Sequence, residues 1–390
     1  MTGHPRMPTA AELTSAVFDE HTARTDPHPA YERLRAEAPV VWHEEPGIWV
    51  LSRYEDVVKV NRDPVTFSSA GGILPLEIGI EYPTPPTMMH TDPPEHTRLR
   101  KAVAEGFRPS RIAAMSAGVE THVKGLVDSV EPGTPFDVVE TLSAPLPLMV
   151  ICELIGLPSS DWPLFWEWSD AVIPGAAQIT EERRAELHTA LEMLLRRHIK
   201  ARAGLADDLL ERGLDDEDVY ILLNQILIAG NETTRNLLSG GLLALAQRPE
   251  QWARLVAERS LVPTAVEEML RWTTPVVSFM RTATSDCQIG GEMIRAGDPV
   301  LMLWASANRD TSEFGDDAHE FRVDRDPNHH LAFGFGPHFC VGAALARLEA
   351  STVLDALLER FTTIAGAGPP RRSLSTVIAG WEQVPLVVGR

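Results

Sequence analysis

Phe333-Gly334-Phe335-Gly336-Pro337-His338-Phe339-Cys340-Val341-Gly342 runs directly into Ala343-Ala344-Leu345-Ala346-Arg347, a stretch patterned for a helix. The glycines permit positive φ and let the backbone pass close to a large flat group. Cys340 falls at the mouth of the helix, where unpaired N–H groups and the positive dipole end favour a thiolate. Phe333 and Phe339 are placed to screen that sulfur from water. The plain alternative is a glycine-rich turn holding an ordinary core cysteine. A dinucleotide loop does not fit, because position 339, where its third glycine would fall, is Phe. A screened thiolate beside bare N–H groups suits a haem iron held by sulfur, with oxygen chemistry on the opposite side.

Composition narrows the setting of this loop. The 390 residues are 44% hydrophobic and 23% charged, enough for a large core and ordinary for a globular chain. No Gly/Ser-rich or Pro-rich linker divides them, so one domain over 1–390 is expected, with 1–25 a loosely ordered extension. The net charge of −20 argues against nucleic acid and against an anionic membrane surface. Residues 1–30 lack an apolar signal core, and the run 219–229 is too short to span a bilayer. A cytoplasmic monomer without a membrane anchor is expected. Three cysteines are too few for a disulfide framework, and Cys152 and Cys287 read as small core residues.

Helical spacing dominates, over 30–36, 54–61, 98–106, 148–155, 181–203, 216–246, 251–258, 265–271 and 343–358. Strands are short: 48–51, 300–303 and 384–388. The fold class is mainly α with small β-sheets. Two segments break the pattern. Residues 71–94 hold six prolines among apolar residues, which marks a packed loop or a lid. Residues 310–335, rich in Asp, Pro, Asn and His, lead to Cys340.

The ten-residue cysteine loop resembles the haem-binding loop of the cytochrome P-450 family, Phe-Gly-x-Gly-x-His-x-Cys-x-Gly. The likeness extends from about Pro29 to Val388 and includes Ala307-Asn308-Arg309-Asp310 and His330-Leu331-Ala332-Phe333-Gly334. It implies a triangular prism with haem b between a long central helix and the cysteine-loop helix. Cys340 becomes the axial iron ligand, with Phe333, Gly334, Gly342 and Ala229 against the haem.

Other motifs take roles from the same resemblance. Glu268-Met269-Leu270-Arg271 places Glu268 and Arg271 on one helix face. With Arg325, from Phe321-Arg322-Val323-Asp324-Arg325, they form the family's structural brace. Arg322 stands where many members carry Asp. In Ala229-Gly230-Asn231-Glu232-Thr233-Thr234, a mid-helix glycine costs about 1 kcal/mol against alanine. The Thr233 hydroxyl can bond back to the Ala229 carbonyl and bend the helix, opening a groove. Glu232 and Thr233 resemble the family's acid–alcohol pair, which supplies protons as O2 is cleaved. His96 and Arg100 of His96-Thr97-Arg98-Leu99-Arg100, with Arg281 and His338, match the cationic set for the haem propionates. A metal cluster of His90, Asp92, Glu95 and His96 fits no common zinc spacing and crosses Pro93-Pro94.

The implied reaction is a monooxygenation of a hydrophobic small molecule, a steroid, terpenoid or lipid, by hydroxylation or epoxidation; secondary metabolism is the expected setting. Ile73, Ile226, Ala229, Val276, Val277, Phe279 and Ile378 are expected to line the substrate pocket. Three scattered cysteines make no iron–sulfur cluster, so electrons come from a separate ferredoxin or flavodoxin, and from NAD(P)H only indirectly. The basic residues near Arg98, Arg100 and Lys101, with Arg108 and Arg111, form the expected docking island. A non-enzymatic thiolate-haem sensor or carrier is the competing class; it has no need of Glu232 and Thr233.

Overall fold

The computed structural model describes residues 10–19, 22, 25–79, 87–172, 179–373 and 375–390. Helices dominate and small sheets flank them. The organising element is the helix Asp216–Ala246, roughly 46 Å long at 1.5 Å per residue. Its start is fixed chemically. The Asp215 carboxylate accepts the Asp218 N–H at 2.8 Å, and Asp216, Glu217 and Asp218 face the positive dipole end. From Asn231 to Ala246 nearly every side chain is buried, so this half runs through the protein interior. Pro145–Ile155, Val262–Thr273 and the cysteine-loop helix Ala343–Arg360 all pack on it.

A five-stranded sheet lies to one side. Its order is Val40–His43, Ile48–Leu51, Pro299–Met302, Phe279–Ala283 and Phe67–Ser68, with only the Ile48–Leu51/Pro299–Met302 pair parallel. Arg281 sits opposite Val300 in this sheet and is buried there. Pro385–Gly389 pairs with Phe136–Asp137 and Thr363–Gly366 in a second sheet.

Two segments differ from expectation, and the proline-rich loop gains definite anchors. The segment over 1–25 is not loose throughout, because Ala10–Phe18 is a helix that buries Leu13 and Val17 against Tyr31, Leu34 and Ile48. The helix Pro109–Asp128 was not expected. It packs on Ala343–Arg360 through a thin stripe, Val119, Val123 and Val127. The proline-rich loop is pinned on both flanks of 80–86, which lie outside the described residues together with Ile80, Pro83, Pro85 and Pro86. The buried Glu77 carboxylate accepts the Ile73 and Leu74 N–H groups at 2.7 and 3.0 Å and meets His90 Nε2 at 3.2 Å. Ile73 O accepts the Met280 N–H at 2.7 Å.

Candidate active site

The cysteine loop is built by backbone constraints. Gly334 and Gly336 have φ of +68° and +73°. At Gly336 a Cβ would also lie 2.3 Å from the Asn61 carbonyl oxygen, so only glycine fits between the loop and the helix Tyr54–Arg62. The Cys340 N–H donates to Phe333 O at 2.9 Å, closing the loop on itself.

Solvent reaches the Cys340 side chain, yet protein surrounds it closely enough that desolvation dominates its titration. Burial pushes the thiol pKa up, while the Gly342 and Ala343 N–H groups, Arg100 and Arg347 pull it down. The helix mouth therefore softens the cost of a thiolate without overcoming it; a bound metal supplies the remainder. Of the two expected screens, Phe333 is buried but Phe339 is 40% exposed. Ala229 is exposed and Thr233 half-buried.

Thr233 donates its hydroxyl to Ala229 O at 2.7 Å, as its sequence position suggested. Glu232 is buried and ion-paired with Arg235 at 2.9 Å, a partner the sequence reading missed although Arg235 stands three residues on. Gly230 serves packing, since a Cβ there would lie 2.6 Å from Ile151 Cδ1 of the neighbouring helix.

His96, Arg100, Arg281 and His338 are brought together. The His96 and His338 rings lie 4.1 Å apart, and His338 senses Arg281 and Arg100. Among the described residues, neither arginine meets a carboxylate, and the buried His96 Nε2 has no hydrogen-bond partner. Burial, with these neighbouring positive groups, pushes His338 down to about 3 and lowers His96. These imidazoles are therefore disfavoured as cations, so Arg100 and Arg281 carry the positive charge of the set. Two half- to fully buried guanidinium groups and an orphaned donor fit the two propionates of a haem whose iron meets Cys340. The His90, Asp92, Glu95 and His96 grouping makes no metal cluster among the described residues.

The brace is complete. Arg271, fully buried, donates twice to Glu268 at 2.7 Å and to the carbonyls of Asn308, Ala318 and Glu320. Arg325 reaches Glu268 at 3.2 Å and Asp317 at 3.0 Å. Arg322, the departure from the family pattern, pairs with Asp317 and Asp324 outside this core. A second brace was missed. Glu267 takes two bonds from Arg347, at 2.7 and 2.8 Å, and one from His330 at 3.1 Å, while Arg347 lies 4.6 Å from the Phe333 ring centroid. Adjacent Glu267 and Glu268 on one helix were the available signal.

The docking island is mostly neutralised within the chain. Arg98 pairs with Glu95 and Asp218 at 2.7 and 2.8 Å, Arg108 with Glu105, and Arg111 with Asp208. Arg100 turns inward, and Lys101 stays exposed. Of the expected substrate residues, Val277 and Ile378 line one cavity, Phe279 packs against Trp304 at 5.2 Å, and Ile73 and Ile226 are buried. Val276 and Ile378 form an isolated antiparallel bridge.

Comparison with known proteins agrees with this geometry. The family profile described as Cytochrome P-450 matches residues 134–383. The steroid C26-monooxygenase of Mycolicibacterium smegmatis is 36% identical, with 92% of each chain covered. The linalool 8-monooxygenase of Pseudomonas putida is 32% identical over 93% of this chain and 95% of its own. Among solved structures, cytochrome P-450 CYP109Q5 from Chondromyces apiculatus superposes with a TM-score of 0.85 at 32% identity, covering 96% of this chain and 97% of that one. No described helix is long and apolar enough to cross a membrane. The cysteine loop, the brace and the carboxylate-free guanidinium pair thus stand in a chain that belongs to the cytochrome P-450 family of haem-dependent oxidoreductases.

Proposed function

We infer that this chain inserts one atom of O2 into an apolar molecule of steroid or terpenoid size, using electrons from a separate ferredoxin or flavodoxin. The observation that carries this reading is Thr233 in the long helix, its hydroxyl held at 2.7 Å on Ala229 O, in a chain that also sets Cys340 just before the helix Ala343–Arg360. A sensor or carrier has no use for that alcohol. Cys340 holds the iron of haem b; Arg100 and Arg281 balance the propionates, and His96 and His338 donate N–H groups to them. When bound, the haem supplies O2 binding and electron acceptance.

The chain's own residues manage protons and water. Thr233 keeps its proton directed at the helix backbone until an acceptor appears beside Ala229. Glu232 delivers protons only when its carboxylate leaves Arg235, so Arg235 is a positioning residue that sets how readily the acid is released. The side chains expected around the substrate, Ile73, Ile226, Val276 and Phe279 with Ala229, are apolar, which favours a hydrophobic molecule.

Two measurements test this reading. The ferrous–carbonyl complex of the purified protein should show the red-shifted Soret band of thiolate ligation, and an unshifted band ends the assignment. With ferredoxin, reductase and NADPH, Thr233→Val should consume NADPH at a rate near the parent's while forming about one-tenth or less of the product. Equal product yield from both proteins removes Thr233 from the proton path.

A further inference from the structure

A cavity of about 460 Å3 has none of Cys340, Ala229 and Thr233 in its lining. The C-terminal half of the long helix, the segment around His28 and the chain near Arg372 and Trp381 enclose it. Its lining holds three guanidinium groups, from Arg248, Arg309 and Arg372. Arg309 lies 3.7 Å from the Trp272 ring centroid, Arg248 lies 4.6 Å from the same ring, and Arg372 stacks at 4.5 Å on Trp381. None of the three meets a carboxylate in an ion pair among the described residues.

That is a costly arrangement in a chain of net charge −20. Most arginines with a carboxylate in reach use it, as Arg98, Arg183 and Arg196 do. Here like charges converge instead. Arg309 is pushed well below its ordinary value, first by burial and then by Arg271, Arg372 and Arg248, with Asp26 opposing. Arg309 Nε and His28 Nδ1 are both buried without a hydrogen-bond partner. Unpaired buried donors cost free energy until something accepts from them. The same signature, carboxylate-free arginines beside an orphaned ring nitrogen, marks the propionate site.

We propose that this cavity binds a small organic phosphate monoester through Arg248, Arg309 and Arg372. Three guanidinium groups against Asp26 leave a net charge of about +2, which a phosphate monoester at neutral pH offsets with a charge of about −1.5 to −2. Planar guanidinium forks in one cavity suit a group with three terminal oxygens. The volume is in the range of organic ligands, roughly 300–1,000 Å3, so the phosphate carries a further body. Trp272 and Trp381 give that body aromatic edges. Val277 and Ile378 line the cavity, so a ligand there touches the segments on either side of the Val276–Ile378 bridge.

Titration calorimetry of the haem-loaded protein with phenyl phosphate tests the site, with phenol and phthalate as comparison probes. Saturable binding of phenyl phosphate is expected, at least tenfold weaker in Arg309→Gln and in Arg372→Gln, with no change in the haem spectrum. Phenol should not bind with these properties. Because the substitutions relieve repulsion, both ligand-free variants should unfold at or above the parent's temperature. Should Arg309→Gln fail to fold, Arg372→Gln carries the measurement alone. Absence of saturation at millimolar phenyl phosphate, undiminished binding in the folded variants, or tighter binding of phthalate overturns the proposal.

Discussion

Glu268, Arg271 and Arg325 are buried as deeply as Arg281, but the two sets of charge stand in opposite conditions. In the first, every guanidinium fork finds an acceptor: the Glu268 and Asp317 carboxylates and five backbone carbonyls share the donors. In the second, Arg281 donates among the described residues only to its own neighbour, Met280 O, and burial lowers it to about 10. A buried charge that is fully hydrogen-bonded fixes structure. A buried charge left with a backbone carbonyl stores an unfavourable term that a ligand removes. The difference separates framework from site without reference to any motif.

The comparison breaks most readily at Glu268. Glu268→Ala strands two guanidinium groups, and the expected loss is about 3–5 kcal/mol, seen as a large drop in the denaturant midpoint of the haem-loaded protein. A loss below about 1 kcal/mol would mean that the carbonyls alone satisfy Arg271 and Arg325.

Arg281→Leu tests the other side, and its sign reverses with the ligand. In haem-free protein the variant should be as stable as the parent or more so. In haem titrations it should bind about 10–100-fold more weakly, the worth of one charge-assisted bond. Destabilised haem-free protein with unchanged haem affinity would make Arg281 framework.

Glu267 sharpens the contrast on a smaller scale. Burial raises its pKa, but the Arg347 and His330 bonds outweigh that and hold it at about 2. A carboxylate depressed in the folded state contributes stability above its unfolded pKa, about 4.3, and loses it as pH falls towards 2. Glu267→Gln should therefore flatten the acid limb of an unfolding-versus-pH curve between those values. An unchanged acid limb would assign that sensitivity to other carboxylates.

The smallest effect is expected on the surface. Lys101→Glu should raise the salt-sensitive KM for a ferredoxin by roughly two- to threefold, a typical rim-charge effect. Arg98→Glu should perturb the local fold more than docking, because Glu95 and Asp218 already occupy it. Equal KM values for Lys101→Glu and the parent would move the docking face elsewhere.

What the sequence disclosed follows the range of the forces involved. The helix 216–246 was legible to the residue because its cap, its acidic first turn and its apolar run are contiguous. The cysteine loop and the 268–271 pair were legible for the same reason. Pro109–Asp128 was not, because its stripe is thin and Gly118 and Gly125 interrupt the helical signal. Gly118 is explained only by Glu153, whose carboxylate a Cβ would meet at 2.7 Å. Arg98 looked like a free cation until Asp218 arrived from 120 residues away. The triple-arginine cavity draws on segments near 248, 309 and 372, and nothing in any one of them announces the others.

Gly336 carries a lesson for reading such loops in other genomes. What forbids a side chain there is the peptide oxygen of Asn61 in a neighbouring helix, so the glycine would persist in a descendant that had abandoned its prosthetic group. Within the loop, therefore, retention of glycine records architecture, while retention of the sulfur at 340 and of lonely arginines records chemistry still in use.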